Sequence, residues 1–234
     1  MEKSSTEVNP KAPKPKTTKS DETRARILDA AMDLFRRRGF EETTMREIAT
    51  EAGVATGAAY YYFDSKDAIV LAFYDQAQKE MQPLLEEALA GSKDLKERLG
   101  RLMGVKFRYF EPNRRLLGTL ASHADPEHPL SPFSSQTQEM RARDIEFFHR
   151  ALTGSSVHIA RDFETHLPRI LWMYQMGLIL FWIYDRSAAQ KRTQALVEKS
   201  LAIVVRLIKL SDLPLMKPVR RIVIDLLETI AEEP

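Results

Sequence analysis

The sequence predicts an all-α protein. Segment after segment places apolar residues three and four positions apart, the spacing that gathers them on one face of an α-helix. Glycine and proline separate these segments, and the alternation of apolar and polar residues that marks strands does not occur. With 234 residues, of which 44% are hydrophobic, the chain has enough material for one or two helical domains with a buried core.

Composition limits the classes of partner and compartment. The chain has 35 Lys and Arg against 33 Asp and Glu, so its overall charge does not identify a nucleic-acid-binding protein. It has no cysteine, which excludes disulfides and thiolate metal sites and fits a reducing cytoplasm. Residues 1–20 lack the apolar core of a signal peptide, and the apolar stretch 170–184 is too short to span a bilayer. We therefore expect a cytoplasmic protein without a membrane partner.

The first helix is predicted at residues 20–38. Five apolar residues lie on one stripe of this segment, and Gly39 follows as a stop signal. Arg36, Arg37 and Arg38 fall in the last turn, where positive charge is favourable beside the helix dipole. The apolar stripe consists of Ile27, Leu28, Ala31, Leu34 and Phe35.

Residues 43–66 predict two short helices joined by a tight turn. Thr44 and Glu47 have the spacing of a capping box, so the first of these helices is expected to begin after Thr44. Gly53 is expected to end it, because the left-handed conformation costs little for a residue without a Cβ. Thr56 is expected to cap the second short helix, which carries three consecutive tyrosines.

A helix, a glycine-containing turn and a second short helix together form a helix-turn-helix, whose second helix enters the major groove of DNA. The spacing alone leaves an alternative open, because a surface helical hairpin with a tyrosine-rich core edge has the same pattern. Three short helices of this size also bury too little apolar surface to be stable alone. They are therefore expected to pack against the chain that follows.

The remainder of the chain is predicted to be helical as well. Asp64 or Ser65 caps the next helix, and the proline-rich residues 125–132 are expected to form a surface loop. Further helices are predicted at residues 66–90, 95–110, 113–124, 133 or 134 to 152, 162–185, 188–210 and 218–231.

Several motifs between residues 23 and 69 keep fixed offsets from one another. They are RILDAAMDLF, Gly39 with Phe40, Thr43 with Thr44, IATEAGV, TGAAYYYF and SKDAI. With these motifs the segment resembles the N-terminal DNA-binding domain of the tetracycline-repressor (TetR) family of bacterial regulators. The resemblance implies a helix-turn-helix domain at residues 20–66 and a larger helical domain at residues 67–234 for effector binding and dimerisation. It also implies a repressor that a small apolar or amphipathic effector releases from a palindromic operator.

Carried over position by position, the resemblance implies a set of contacts with double-stranded operator DNA. Thr44 and Lys66 are expected to contact phosphates, and Arg46 to contact a phosphate or a base edge. Ala59 stands where many family members have a larger apolar residue, so closer packing of the recognition helix is expected. The expected DNA-binding residues are Thr44, Arg46, Ala55, Thr56, Gly57, Ala58, Tyr60, Tyr61, Tyr62 and Lys66.

Residues 1–19 are expected to form a disordered basic arm. They are polar and contain three prolines and five lysines. Such an arm can contact phosphates or the minor groove beside a helix-turn-helix, or it can be a solvated tail. The sequence leaves both alternatives open.

The later helices are rich in aromatic and thioether side chains, as pockets for small molecules are. Plain core packing explains any one of these residues equally well, whereas the family resemblance implies a cavity between the helix at 66–90 and the later helices. Arg108, His149 and Gln175 are the candidate polar anchors for an unidentified effector. The candidate pocket residues are Phe107, Arg108, Phe110, Phe147, His149, Trp172, Gln175 and Met176.

The helix at 162–185 is apolar nearly all round, so it is expected to be buried on more than one side. One side is expected to face a partner subunit, with the helix at 188–210 beside it. A four-helix homodimer interface of this kind is typical of the resembling family. The expected interface residues are Leu178, Phe181, Trp182, Val197, Leu201, Val204 and Ile208. The last helix is expected either to cap the core or to extend this interface.

No motif for catalysis is found. The five histidines lack metal-ligand spacing, and no phosphate-binding loop, dinucleotide fingerprint or nucleophile elbow is present. We therefore expect neither an enzyme nor a resident cofactor or metal. One alternative is an effector-independent DNA-binding repressor or architectural protein, and another is an all-α enzyme or interaction module that carries the helix-turn-helix pattern.

Overall fold

The computed structural model describes residues 18–121 and 125–231, and these residues form only helices, turns and connecting segments. The predicted all-α fold is confirmed. The predicted arm lies outside the described residues, apart from its last two residues at the start of the first helix. The α-helices are α1 (Lys19–Arg38), α2 (Met45–Glu51), α3 (Thr56–Tyr62), α4 (Lys66–Ala90), α5 (Leu95–Phe110), α6 (Arg114–Leu120), α7 (Gln138–Thr153), α8 (Arg161–Glu164), α9 (Leu167–Tyr184), α10 (Lys191–Ser211) and α11 (Lys217–Ala231).

Local caps fix the starts of the N-terminal helices. Thr18 and Thr44 each form a capping box with the acidic residue three positions later, and so begin α1 and α2. The box predicted at Thr44 is therefore confirmed. Of the two candidate caps for α4, Ser65 is the one used, because its hydroxyl accepts a hydrogen bond from the Ala68 N–H at 3.1 Å.

The predicted cap of the second short helix is wrong. α3 begins at Thr56 itself, and the capping position belongs to Ala55, whose extended backbone (φ −67°, ψ 147°) has no side-chain hydrogen bond to support it. The hydroxyl of Thr56 therefore lies one residue too late to cap the helix. Gly53 adopts a φ of +65°, as predicted for the turn.

α7 begins at Gln138, several residues later than predicted. Before it, Ser134 Oγ donates to the Pro129 carbonyl at 3.0 Å, and Thr137 Oγ1 donates to the Ser131 carbonyl at 2.7 Å. Such bonds from side chain to backbone compete with helix formation. They hold residues 129–137 in successive turns.

The helix predicted at residues 162–185 is divided into α8 and α9. Pro168 has no N–H to continue a helical ladder from α8, but it is well tolerated in the first turn of the new helix. α10 in turn begins at Lys191 and not at residue 188, because Ala189 and Gln190 have φ values of +50° and +49°.

Two hydrophobic cores share α4. The N-terminal core contains α1, α2, α3 and the first turns of α4, and it is completed by Leu116, Leu120 and Leu130. The C-terminal core is built from the later turns of α4 with α5, α7, α9 and α10. The sequence predicted that the short N-terminal helices need support, and α4 together with α6 provides it.

Two buried arginines join the C-terminal helices. The guanidinium of Arg98 on α5 donates to the carbonyls of Leu89 (2.6 Å), Arg150 (2.7 Å) and Ala151 (2.9 Å), and thereby holds the ends of α4 and α7. Arg220 on α11 donates twice to the Asp162 carboxylate, at 2.9 and 3.0 Å. No helix among the described residues is long and apolar enough to cross a membrane.

Alanine substitution is expected to change the free energy of unfolding in opposite directions at the two glycines of the helix-turn-helix. Gly53→Ala is expected to lower the free energy of unfolding by roughly 1–2 kcal/mol, because a Cβ is disfavoured at its positive φ. Gly57→Ala is the control: Gly57 is helical with open space around its Cβ position, so the variant should gain roughly 0.5–1 kcal/mol. Urea unfolding followed by circular dichroism measures both, and equal effects would contradict this account.

Candidate nucleic-acid interface and internal cavity

α3 presents one face to the outside and one to the core. Ala59 is fully buried, and its small side chain packs in the N-terminal core. On the outer face, Tyr61 is 83% exposed and Tyr60 is 51% exposed. Gly57 lies on the same outer side, and a Cβ built there would meet no protein atom within 4 Å. Packing within the protein therefore gives no reason for a glycine, whereas close approach of another molecule does.

Tyr62 is less exposed than Tyr60 and Tyr61. It is half-buried, its hydroxyl lies 3.3 Å from Ser20 Oγ, and its ring packs edge-on against that of Tyr61 at 5.2 Å. Tyr62 thus links α3 to the start of α1. The expected contacts of the three tyrosines remain predictions, but Tyr60 and Tyr61 are the more accessible pair.

Thr44 and Arg46 lie at the exposed start of α2. The Thr44 hydroxyl already donates to Glu47 Oε2 at 2.9 Å, so a bond to phosphate requires it to leave this carboxylate. The N–H and hydroxyl of Thr44, together with Arg38, lower the pKa of Glu47, which therefore stays ionised. The Arg46 side chain is exposed and has no ion-pair partner among the described residues.

Four other cations near this surface have protein partners. Arg36, Arg37 and Arg38 pair with Asp33, Glu51 and Glu47 respectively. The ammonium of Lys66 donates to the carbonyls of Phe40 (2.7 Å) and Glu41 (3.2 Å) and lies 4.6 Å from the centre of the Phe40 ring. Lys66 therefore joins the start of α4 to the turn between α1 and α2. Its expected phosphate contact would have to use the remaining N–H.

An apolar cavity of about 200 Å³ lies among α4, α5, α6, α7 and α9. Four of the predicted pocket residues, Phe107, Phe110, Trp172 and Met176, line it. The other lining residues are Tyr74, Gln78, Met81, Lys106, Leu117, Leu120, Ala121, Leu130, Pro132, Thr137, Met140, Arg141, Asp144, Ile179, Trp182 and Ile183.

The remaining pocket candidates do not line this cavity. Arg108 is exposed on another side of α5, Phe147 packs against the Arg150 guanidinium at 5.3 Å, and His149 lies 3.7 Å from Glu146 on the same helix. Gln175 is buried in the protomer, where neither its amide nitrogen nor its amide oxygen has a hydrogen-bond partner among the described residues. None of the three predicted polar anchors therefore reaches the cavity.

Sequence reasoning missed the polar residues that do reach it. Lys106 and Asp144 form an ion pair between α5 and α7, and both line the cavity. The signal was present in the sequence: Lys106 follows Leu102 and Met103 on the apolar stripe of α5, and Asp144 precedes Phe148 on that of α7. A charged residue at such a position needs a buried partner.

Only some of the predicted dimer residues are accessible to a partner subunit. Leu178, Trp182, Leu201 and Ile208 are buried within the protomer and cannot contact a partner in this conformation, while Phe181, Val197 and Val204 are at least partly exposed. The fully apolar pattern of α9 does not reveal which side turns outward. The exposed apolar residues of α9 and α10 are Met173, Leu180, Phe181, Tyr184, Ile203, Leu207 and Leu210.

An exposed helix-turn-helix on an all-helical body with an apolar cavity is the architecture of a DNA-binding regulator. A family model described as bacterial regulatory proteins of the tetR family matches residues 27–73. A second, described as a tetracyclin repressor-like C-terminal domain, matches residues 98–228. The chain belongs to the TetR family, which confirms the predicted resemblance.

Individual relatives agree with this assignment. The HTH-type transcriptional regulator YerO of Bacillus subtilis is 36% identical over 97 residues, which are 40% of this chain and only 33% of YerO. The HTH-type transcriptional repressor KstR of Mycobacterium tuberculosis is 26% identical over 187 residues, 80% of each chain. The structure of FadR from Bacillus subtilis in complex with stearoyl-CoA shares the fold, with a TM-score of 0.59 at 17% identity over 77% of this chain and 97% of FadR.

These relatives are transcriptional regulators, which confirms the prediction of a regulator and not an enzyme. Within residues 18–121 and 125–231, no group of three or more His, Cys, Asp or Glu side chains is arranged to hold a metal ion.

Arg46→Ala is expected to weaken binding to any duplex by a similar factor, because an exposed arginine without a protein partner is free to neutralise a phosphate. The slope of log K against log salt concentration should fall in magnitude by about 1. Fluorescence anisotropy with a labelled duplex at several salt concentrations measures the slope. Arg37→Ala is the matched control, since Arg37 already pairs with Glu51 and its removal should leave the slope unchanged. Equal slopes for wild type and Arg46→Ala would remove Arg46 from the interface.

Proposed function

We propose that the protein is a ligand-responsive repressor that binds a palindromic operator as a homodimer and leaves it when a small apolar or amphipathic effector enters the cavity. It acts in the cytoplasm, where its operator lies. The observation that carries this proposal is the position of the cavity, since two of the helices that line it, α4 and α6, also complete the core of the DNA-binding domain.

The first shared element is α4. Its start is joined by Lys66 to the turn between α1 and α2, and Phe73 is buried in the N-terminal core. The next residue, Tyr74, lines the cavity. Tyr74 lies eight positions after Lys66, about 12 Å along the helix. A ligand that displaces α4 at Tyr74 therefore acts directly on the segment that carries the recognition helix.

The second shared element is α6. Leu116 and Leu120 belong to the N-terminal core, and Leu117 and Leu120 line the cavity, so Leu120 contributes to both. Asn113, which immediately precedes α6, accepts a hydrogen bond at Oδ1 from Arg36 Nη1 of α1 at 3.0 Å. A ligand that changes the separation of α4 and α6 thus changes both supports of the DNA-binding domain at once.

The dimer is proposed to form through the exposed apolar face of α9 and α10. α9 and α10 pack against each other, and each carries exposed apolar side chains. Leu180 and Tyr184 on α9 and Ile203, Leu207 and Leu210 on α10 are all about half-exposed or more. A two-fold axis through this face would assemble four helices and bury these side chains. Recognition of two half-sites about 34 Å apart requires such a dimer.

Leu207→Glu is expected to produce a monomer, because it places a charge in the proposed apolar interface. Analytical ultracentrifugation should show a dimer for the wild type and a protein of half that mass for the variant. Leu84→Glu on α4 is the matched control: Leu84 is 46% exposed but lies on a different helix, so that variant should remain dimeric. A dimeric Leu207→Glu variant would place the interface elsewhere.

Effector and operator should weaken each other's binding by the same factor. A compound found by thermal-shift screening should raise the operator Kd about 5- to 150-fold, the range that a coupling of about 1–3 kcal/mol produces. Anisotropy with DNA from upstream of the chain's own gene gives the operator affinity, and titration of the compound with and without DNA gives the reverse effect. A compound that binds equally well in both cases would contradict effector control. Tight operator binding that no compound alters would support an effector-independent repressor.

A further inference from the structure

The cavity contains one buried ion pair in an otherwise largely apolar wall. The side chain of Lys106 is 7% exposed and that of Asp144 is 17% exposed, and the two are in direct contact. Phe107, Phe110 and Trp172 supply aromatic surface in the same cavity. A buried pair of this kind offers a strongly polar contact to a ligand whose remaining surface is apolar.

Lys106 has hydrogen-bond donors to spare in the cavity. An ammonium has three N–H groups, and Asp144 is the only polar partner of Lys106 among the described residues. Tyr74 also lines the cavity, and its hydroxyl makes no hydrogen bond to the described residues. Burial raises the pKa of Tyr74, so this hydroxyl keeps its proton and can donate it to an acceptor.

Lys106 gives an anionic group of a ligand a charged partner. It lines the cavity together with Asp144. A carboxylate brought in by a ligand would share Lys106 with Asp144, whereas a ligand cation would have to displace Lys106 from Asp144. Charge-assisted hydrogen bonds to an ammonium are about twice as strong as neutral ones.

From this arrangement we infer that the effector is an apolar monocarboxylic acid. Its carboxylate binds the ammonium of Lys106 and accepts from the Tyr74 hydroxyl, and its hydrocarbon part packs against Phe107, Phe110 and Trp172. This inference rests on the proposed function and specifies the chemical class that the same cavity takes.

The chain contains its own reporter for occupancy of the cavity. It has two tryptophans, Trp172 and Trp182, and both line the cavity. Their fluorescence can be followed without DNA while three probes with the same tail are titrated below their micelle concentrations: decanoate, decanol and decyltrimethylammonium. Decanoate is expected to bind about tenfold or more tightly than decanol, and the cation most weakly of the three.

Two variants test the role of the ion pair. Asp144→Asn removes the anion that competes for Lys106 but keeps an amide oxygen that can accept from its ammonium, so decanoate should bind several-fold more tightly and decanol should bind as before. Lys106→Met alone would leave a buried carboxylate without a partner and is expected to impair folding. The double variant Lys106→Met with Asp144→Leu removes both charges, and it should keep decanol binding while losing the preference for decanoate.

Arg108→Met is the matched control, because Arg108 is an exposed cation on the same helix that does not line the cavity. This variant should keep the wild-type preference for decanoate. Thermal unfolding of each variant shows that the fold is retained. Equal affinity of the wild type for decanoate and decanol, or a decanoate preference that survives the double variant, would overturn the assignment.

The carboxylate assignment and the proposed function can fail independently of each other. If decanoate binds through Lys106 but leaves operator affinity unchanged, the carboxylate site stands and effector-controlled release fails. If the protein binds operator DNA tightly and decanoate binds no better than decanol, the regulator stands and the carboxylate assignment fails.

Discussion

The DNA-binding domain cannot bury enough apolar surface by itself. Its three helices have 20, 7 and 7 residues, and their core is completed by the first turns of α4 and by leucines from α6 and the loop after it. Small helical units of this size depend on added packing for stability. Here the added packing comes from α4, α6 and the loop after α6, which also line part of the cavity. The stability of the recognition unit and the shape of the cavity therefore both depend on these elements.

Features set by local chemistry could be predicted from the sequence. The capping box at Thr44, the left-handed turn at Gly53 and the cap at Ser65 depend only on residues within a few positions of each other. The later helix boundaries depend on more distant or competing bonds. Residues 129–137 fold as turns because serine and threonine side chains bind nearby carbonyls, and a pattern of apolar spacing contains no sign of that competition.

The functional residues show the same division. The motif around the recognition helix was readable because its residues are close in sequence, whereas the cavity combines side chains from five helices. α9 is apolar on almost every side, so spacing alone could not tell that Trp182 faces the cavity and Leu180 faces outward. Lys106 and Asp144 interrupt apolar stripes on separate helices, and their pairing became evident only when α5 and α7 were placed side by side.

The guanidinium of Arg98 holds the C-terminal end of α4 in place. By holding the Leu89 carbonyl, it anchors the far end of a helix of 25 residues, about 37 Å long. Tyr74 lies about 24 Å from that end and Lys66 about 36 Å from it, by the rise of an α-helix. In the proposed mechanism, α4 would turn about this anchored end. If it turns as a rigid rod, a sideways step of 1 Å at Tyr74 would become roughly 1.5 Å at Lys66, next to the recognition helix, and a dimer would apply it twice, in opposite directions.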